Sequence, residues 1–272
     1  MRVLTLLHTS DMHHRLTAEA AERLRALKAR ETRALLVDAG DAIRAGNLGI
    51  TPWGERALEW MRLAGYDAMA VGNRETHPWS RAVRAKVGRA SFPVLCANVS
   101  GPGVAEGSFE AVPVGDLPCF GRDRALYRSH VLAQLPGGLR VALFGLTVPM
   151  VRGTSAARWV GAYRFADPLE TARRLVPLLA PRADLVVALT HLGLERDREL
   201  ARQVDGMDVI VGGHSHSLPD EPERVNGTMI LHAGHYARFV GKAEISLESR
   251  PVSVRWTRVP LGEARGGTQP RP

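Results

Sequence analysis

The chain has 272 residues, 45% hydrophobic and 24% charged, the balance of an ordinary globular protein, which excludes a disordered, collagen-like or disulfide-stapled chain. Its net charge of +8 favours anionic partners, but Lys occurs only at 28, 86 and 242 and the arginines are scattered. The charge therefore lends only slight support to a phosphate-bearing partner, and less to nucleic acid. Met1 to Thr9 has one basic residue and a short apolar stretch that runs straight into polar, His-rich sequence. There is no small-residue cleavage site and no apolar run near the ~20 residues of a membrane span, so a cytoplasmic protein without membrane contact is expected.

In chain order, Val3-Leu4-Thr5-Leu6-Leu7 reads as a buried strand, and Thr17 to Arg30 as a helix with Ala20, Ala21, Leu24 and Leu27 on one face. Ala34 to Val37 is a second strand. Glu55 to Leu63 is a second helix, entered through Thr51 with Pro52 in its first turn. Ala68 to Val71 is a third strand, and Ser80 to Val87 a helix. From Phe109 to Val148 the pattern is β-like, with a turn at Leu135-Pro136-Gly137-Gly138-Leu139. Asp167-Pro168-Leu169-Glu170 is a capping box for a helix reaching Leu179. Leu185 to Leu189 and Val209 to Val211 are buried strands. Met229 to Leu231, Phe239 to Leu247 and Val252 to Val259 read as closing β-hairpins, and Gly262 to Pro272 has the composition of a disordered tail. Strand–helix alternation of this kind means a largely parallel α/β sheet in a single domain over residues 1–260.

Ligand-type residues follow the buried strands directly. The first leads into Ser10-Asp11-Met12-His13-His14, the second into Asp38-Ala39-Gly40-Asp41 and the third into Gly72-Asn73-Arg74-Glu75. The strand at 185–189 leads into Thr190-His191, and that at 209–211 into Gly212-Gly213-His214-Ser215-His216. Sites of open α/β sheets assemble at the carboxyl ends of strands, and the glycines before Asp41, Asn73 and His214 suit turns that re-aim a side chain. Asp11, His13, Asp41, Asn73, His191, His214 and His216 mix hard oxygen donors with imidazoles. Such a set suits Mn, Fe, Co, Ni or Zn. Seven ligands exceed the needs of one ion and fit two, ~3.5–4 Å apart, sharing a carboxylate and a hydroxide that attacks phosphorus.

This ordered set resembles the calcineurin-like metallophosphoesterase superfamily, in particular its 5′-nucleotidase branch. The motifs are Leu7-His8-Thr9-Ser10-Asp11-Met12-His13, Asp38-Ala39-Gly40-Asp41, Gly65 to Asn73, Ala188-Leu189-Thr190-His191-Leu192-Gly193 and Val209 to His216. The resemblance runs from residue 3 to about 260 and implies a four-layer αββα sandwich. It also implies one ion held by Asp11, His13 and His216 and a second by Asn73, His191 and His214, with Asp41 as the bridge. Asp41, Asn73 and Arg74 would be the catalytic set.

There are two departures from the branch. Its Gly-Asn is followed by a His and an acid, whereas Arg74 and Glu75 stand here. An arginine cannot act as a general acid but can clamp phosphoryl oxygens. His14 or His77 could supply the missing proton, and His14, Arg74 and His235 are the candidate substrate-binding residues. The chain also stops where that branch's base-stacking domain begins, so the expected substrate is a small phosphomonoester or phosphodiester rather than a nucleotide as such.

The alternatives are a metal-binding homologue with little or no turnover, Arg74 being the lesion, and a nuclease-like phosphodiesterase. Asp38 is expected to support the strand end, and Cys96 to be a buried apolar residue with no disulfide to Cys119 required. Trp53, Trp79 and Trp159 are expected to pack. Nothing distinguishes Arg44, Arg152 and Arg238 from surface arginines.

Overall fold

Successive side chains of a strand point to opposite faces, and in the first two strands both faces are apolar. These are β1 (Val3–Thr9) and β2 (Ala34–Asp38). Leu4, Leu6, Leu35 and Val37 enter one core, while Leu7 and Leu36 enter another. Strands covered on both sides read as continuous apolar runs, which is why they are visible in the sequence. The structure is a computed structural model and describes residues 2–150 and 161–262.

One sheet is formed, in order, by β17 (Ser253–Pro260), β16 (Phe239–Ser246), β1, β2, β3 (Ala68–Ala70), β4 (Val94–Leu95), β8 (Tyr127–Arg128) and β6 (Val104–Ala105). Pairing is parallel from β1 through β8, and the β16–β17 hairpin lies antiparallel against β1. The second sheet runs β14 (Glu223–Val225), β15 (Thr228–Leu231), β13 (Val209–Gly212), β12 (Leu185–His191), β10 (Leu139–Thr147), β9 (His130–Leu135) and β7 (Ala111–Pro113). β5 (Val99–Ser100) and β11 (Arg164–Phe165) form a small antiparallel pair.

Three apolar cores define the layers. Leu4, Leu6 and Val37 of the first sheet meet Val141, Leu143, Val187 and Val211 of the second. On the outer face of the first sheet, Leu7, Leu36 and Met69 pack against α1 (Ala18–Ala29), α2 (Arg56–Ala64) and α3 (Ser80–Val87) through Leu24, Leu58, Met61 and Val83. On the outer face of the second, Phe144, Val186 and Ile210 pack against Val176, Leu179 and Leu200. Those three belong to α5 (Pro168–Leu179) and α6 (Leu194–Gln203); a short helix, α4, covers Phe120–Asp123. The architecture is the αββα sandwich expected. Each fully buried Leu, Val or Phe contributes roughly 1.5–3 kcal/mol to holding the layers together.

Caps explain where helices begin. The Thr17 hydroxyl accepts from Ala20 N–H at 3.2 Å, and the Asp167 carboxylate from Glu170 N–H at 2.9 Å, each satisfying an end donor. Three expectations change. Thr51 and Pro52 precede α2 rather than starting it, because the Glu55 carboxylate folds back onto Arg44 N–H, Ala45 N–H and the Thr51 hydroxyl. The closing strands do not stay together: β15 joins the second sheet and the β16–β17 hairpin the first. Trp53 and Trp79 are 88% and 66% exposed rather than packed, because both lie in loops, Trp79 at the N-cap of α3, off its apolar face. Cys96 is buried with its thiol pushed up to about 12 by burial, and both cysteines are free. Arg152, Trp159 and the tail from 263 onward lie outside the described residues. Among the described residues, no helix is long and apolar enough to cross a membrane.

The sheets approach each other closely at β10, where Ala97 N–H donates to Gly145 O at 2.7 Å. A Cβ on Gly145 would stand 2.0 Å from the Leu95 carbonyl oxygen. Gly145→Ala is expected to lower stability by about 1–3 kcal/mol through overpacking, read from the urea midpoint. A midpoint equal to that of the parent chain would show that the sheets do not meet there.

Candidate metal centre

The seven expected ligands come together at the carboxyl edge of both sheets. Asp11 and His13 follow β1, Asp41 follows β2, Asn73 follows β3, His191 ends β12, and His214 and His216 follow β13. Ten described non-glycine residues have positive φ, and seven of them line this edge: Asp11, His13, His14, Asp41, His214, His216 and Tyr236. A left-handed backbone costs on the order of 1–2 kcal/mol for such residues, so surrounding bonds must hold it. Here Asp11 N–H donates to Gly40 O at 2.9 Å, His13 N–H to Asp41 O at 2.9 Å, His14 N–H to Ala42 O at 2.8 Å and Tyr236 N–H to Asp11 O at 2.9 Å.

Two glycines make the convergence possible, for different reasons. Gly40 has φ +96°, and a Cβ there would lie 2.9 Å from His191 Nδ1. At Gly72 the requirement is close approach, since a Cβ would lie 2.3 Å from Asp41 N.

Asp41 lies between two groups of donors. Its Oδ2 is 3.4 Å from His13 Nε2, and its Oδ1 is 3.6 Å from His191 Nε2. On the first side, Asp11 Oδ1 lies 3.4 Å from His216 Nε2 and 3.9 Å from His13 Nε2. On the second, Asn73 Oδ1 is 3.2 Å from both His191 Nε2 and His214 Nδ1. The two halves are joined by His214 N–H, which donates to Asp11 Oδ2 at 3.0 Å. Among the described residues, Asp11, His13 and His216, and also Asp11, Asp41 and His191, bring their donor atoms within 4.8 Å of one another.

The donor set fits divalent cations. His13 Nε2 is buried without a hydrogen-bond partner, an arrangement a buried polar atom tolerates only when something else satisfies it. His191 Nδ1 donates to Ala39 O at 2.8 Å, which turns Nε2 towards the cage. Burial, and then the charge of His191, pull the His214 imidazole down towards neutrality, as a ligand requires. The Asp11 hydrogen bond raises the His216 imidazole above its ordinary value, the direction in which a neighbouring carboxylate acts on a positive charge. Burial opposes ionisation of Asp41, yet the neighbouring His13, the charge of His191 and the Arg74 N–H together hold it below the usual carboxylate range.

Three supports were not among the expected site residues. Glu75, fully buried, accepts from Gly72 N–H and Asp41 N–H at 2.9 Å, Ala42 N–H at 3.1 Å and Ile43 N–H at 3.3 Å. Burial and the neighbouring Asp41 push its carboxyl up to about 7. Lys86, 1% exposed, lies within 2.7–3.1 Å of the carbonyls of Gly46, Asn47, Arg74 and Thr76. Burial brings it down to about 8, so it remains an ammonium at neutral pH. The Tyr236 ring packs edge-on against His13 and His216 at 5.4 and 5.8 Å. Asp38 behaves as expected, accepting from the Thr9 hydroxyl at 2.7 Å and Gly40 N–H at 2.9 Å.

Arg74 is anchored over the cage. Its N–H donates to Asp41 Oδ1 at 2.7 Å, its Nη1 to Arg44 O at 3.0 Å, and its Nε is 3.8 Å from Asp41 Oδ2. It lines a cavity of about 600 Å³ with His13, His14, Arg15, Thr17, Arg44 and Tyr236. His77 is elsewhere: it is buried, and its Nδ1 accepts from Trp79 N–H at 3.1 Å. His235 reaches the edge of the cage but has both ring nitrogens engaged, with His216 O at 3.3 Å and Arg238 Nη2 at 2.8 Å. Stacked on His216 at 4.8 Å, it orients that ring. His232 lies behind the site, 2.8 Å from Asp197, whose other oxygen accepts from the Thr190 hydroxyl at 2.6 Å.

Known proteins share this frame. The chain is 31% identical over 273 residues to the trifunctional nucleotide phosphoesterase protein YfkN of Bacillus subtilis, covering 92% of this chain and 18% of that one. It is 28% identical over 290 residues to a 5′-nucleotidase of Vibrio vulnificus, covering 89% and 48%. The crystal structure of a 5′-nucleotidase precursor from Thermus thermophilus superposes with a TM-score of 0.72 at 24% identity, over 95% of this chain and 54% of the other. The chain thus spans about half or less of the length of these relatives. Residues 4–218 match the calcineurin-like phosphoesterase family, and the chain belongs to that family.

Proposed function

We propose that the protein is a dinuclear metal-dependent phosphoester hydrolase acting on a small, nucleotide-like phosphomonoester or phosphodiester. Asp41 carries this reading, since its two oxygens face His13 and His191 separately, at 3.4 and 3.6 Å. Asp11, His13 and His216 would hold one ion and Asn73, His191 and His214 the other, with Asp41 shared. The donor set suits Mn, Zn, Fe, Co or Ni. Bound ions supply a water of lowered pKa and positive charge for the phosphoryl oxygens. The names of the relatives, a nucleotide phosphoesterase and a 5′-nucleotidase, support the substrate class.

The chain's own residues do the rest. Arg74 offers a fixed cation to a phosphoryl group above Asp41, and its guanidinium cannot release a proton. His77 is held by its own loop, leaving His14 as the histidine that lines the cavity outside the ligand set among the described residues. Arg74 also favours a second reading, a homologue that binds metal without turnover.

Mn²⁺-supplemented protein is expected to hydrolyse p-nitrophenyl phosphate or its bis-ester, EDTA to abolish this, and Asp41→Asn to lower kcat by about a hundredfold or more. Two metals bound per chain with no turnover on either ester or on nucleotides would establish the second reading instead, and cleavage of single-stranded DNA alone would point to a nuclease. Arg74→His should raise turnover on alkyl phosphates more than on nitrophenyl phosphate, whose leaving group needs no proton; equal effects on both would remove the role assigned to Arg74. Lys86→Met leaves buried carbonyls unpaired and should lower stability by about 2 kcal/mol or more, with weaker binding of one metal of the pair. Thermal melts and metal titration read both effects, and a variant matching wild type in both would show that Lys86 does not hold the loops.

A further inference from the structure

We infer that the cavity beside the cage is a second anion site, so that the preferred ester carries another phosphoryl group beyond the one at the cage. This rests on the hydrolase reading. The cavity brings three arginines together, Arg15, Arg44 and Arg74, with His14 beside them and, among the described residues, no acidic residue in its lining. Some arginines elsewhere are matched with acids, as in Arg2–Asp184, Arg173–Glu170 and Arg198–Glu223, and others hold carbonyls, as Arg33 and Arg89 do; this cavity differs in gathering three on one lining. Among the described residues, neither Arg15 nor Arg44 is paired with a carboxylate. Asp41, 3.8 Å from Arg74, already faces His13.

The cluster is built rather than accidental. Glu55, itself buried, accepts from Arg44 N–H at 2.8 Å and from Ala45 N–H at 3.2 Å, fixing the loop. The carbonyl of the same Arg44 takes Arg74 Nη1 at 3.0 Å, which ties the two residues together. Arg15 lies over the Tyr236 ring, 5.7 Å from its centroid. Cations that line one cavity repel unless an anion joins them, and the planar guanidinium suits phosphate oxygens in particular. A cavity of about 600 Å³ exceeds what a single phosphoryl group fills and falls in the roughly 300–1,000 Å³ range of small-molecule sites. The adjoining cavity that shares His14 and Arg44 differs in mixing signs, with Glu55 and Glu59 beside Arg56. A second phosphoryl group would therefore lie between Arg15, Arg44 and Arg74, a short reach from the cage.

Fructose 1,6-bisphosphate and fructose 6-phosphate offer similar alkoxide leaving groups and differ by one phosphoryl group. In the metal-loaded protein, kcat/KM for the bisphosphate should exceed that for the monophosphate by about tenfold or more. Arg44→Gln and Arg15→Gln should each reduce that ratio by about threefold or more. Independently of turnover, titration calorimetry should find inorganic pyrophosphate bound more tightly than orthophosphate by protein freed of divalent ions, with Arg44→Gln removing the difference. A ratio near one in wild type, or a preference that both variants leave intact, overturns the second site while leaving the hydrolase reading standing. Pyrophosphate binding that Arg44→Gln abolishes, in a protein that hydrolyses no ester, supports the second site while the hydrolase reading falls.

Discussion

One buried carboxylate organises the centre. Glu75 accepts backbone N–H groups from Gly72 on its own loop and from Asp41, Ala42 and Ile43 on the loop after β2. Removing a carboxylate from water costs several kcal/mol, and hydrogen bonds to a charged group return roughly 1.5–3 kcal/mol each. The four bonds therefore decide whether this acid can remain buried, and they do so only while the two loops touch. The loops that present Asp41, Asn73 and Arg74 behave as one unit for this reason. Lys86 adds the complementary half, binding carbonyls of the same loops where Glu75 binds their N–H groups. The Tyr127 hydroxyl closes the unit from below by donating to Glu75 O at 2.8 Å.

The price of that order is visible in the backbone. Five of the ligands, Asp11, His13, Asp41, His214 and His216, are held in left-handed conformations that side chains other than glycine avoid. The strain is distributed between the sheets: Asp11 and Asp41 arise from the first, the histidines at 214 and 216 from the second, and the His214–Asp11 bond crosses between them. A cage assembled from both sheets is only as rigid as their packing. The inter-sheet core of Leu6, Val37, Leu143 and Val187 thus bears on the geometry of a site that none of these residues touches.

Much of this is legible in the sequence. Strands buried on both faces announce themselves as apolar runs, and an Asp, Asn or His directly after each run marks the sheet edge. Other features have no local signature. The four bonds of Glu75 run to residues more than thirty positions away, apart from Gly72, and the acid expected two places after Gly-Asn marks its position but not these partners. Lys86 is hidden for the opposite reason: on the apolar face of a helix, its charge reads as surface although it is buried among carbonyls. Tyr236 enters through a left-handed turn that no spacing rule anticipates, and Trp53 and Trp79 reverse the usual habit of tryptophan by standing in solvent. The division of the closing strands between two sheets is likewise a long-range choice, made by pairing with β1 and β13 rather than by the strands themselves.

Arg74 and the arginine cavity bear on the same chemical question. Where a histidine can stabilise charge and also donate a proton, an arginine does only the first. On the proposed reading, a leaving oxygen above Asp41 must then depart as an anion or take its proton from another group such as His14. Arg74 is tied to Arg44 through a backbone carbonyl, so the cation at the cage and the second cation of the cavity are placed by two loops that touch. That arrangement stabilises negative charge along the path from the reacting phosphorus into the cavity. A leaving group bearing its own phosphate gains most from it, because the charge it carries away meets Arg44 and Arg15 without a proton having to move. On that reading, Arg74 at the cage and the arginines beside it would be two parts of one electrostatic design, selecting for anionic leaving groups where a histidine at position 74 would permit acid catalysis.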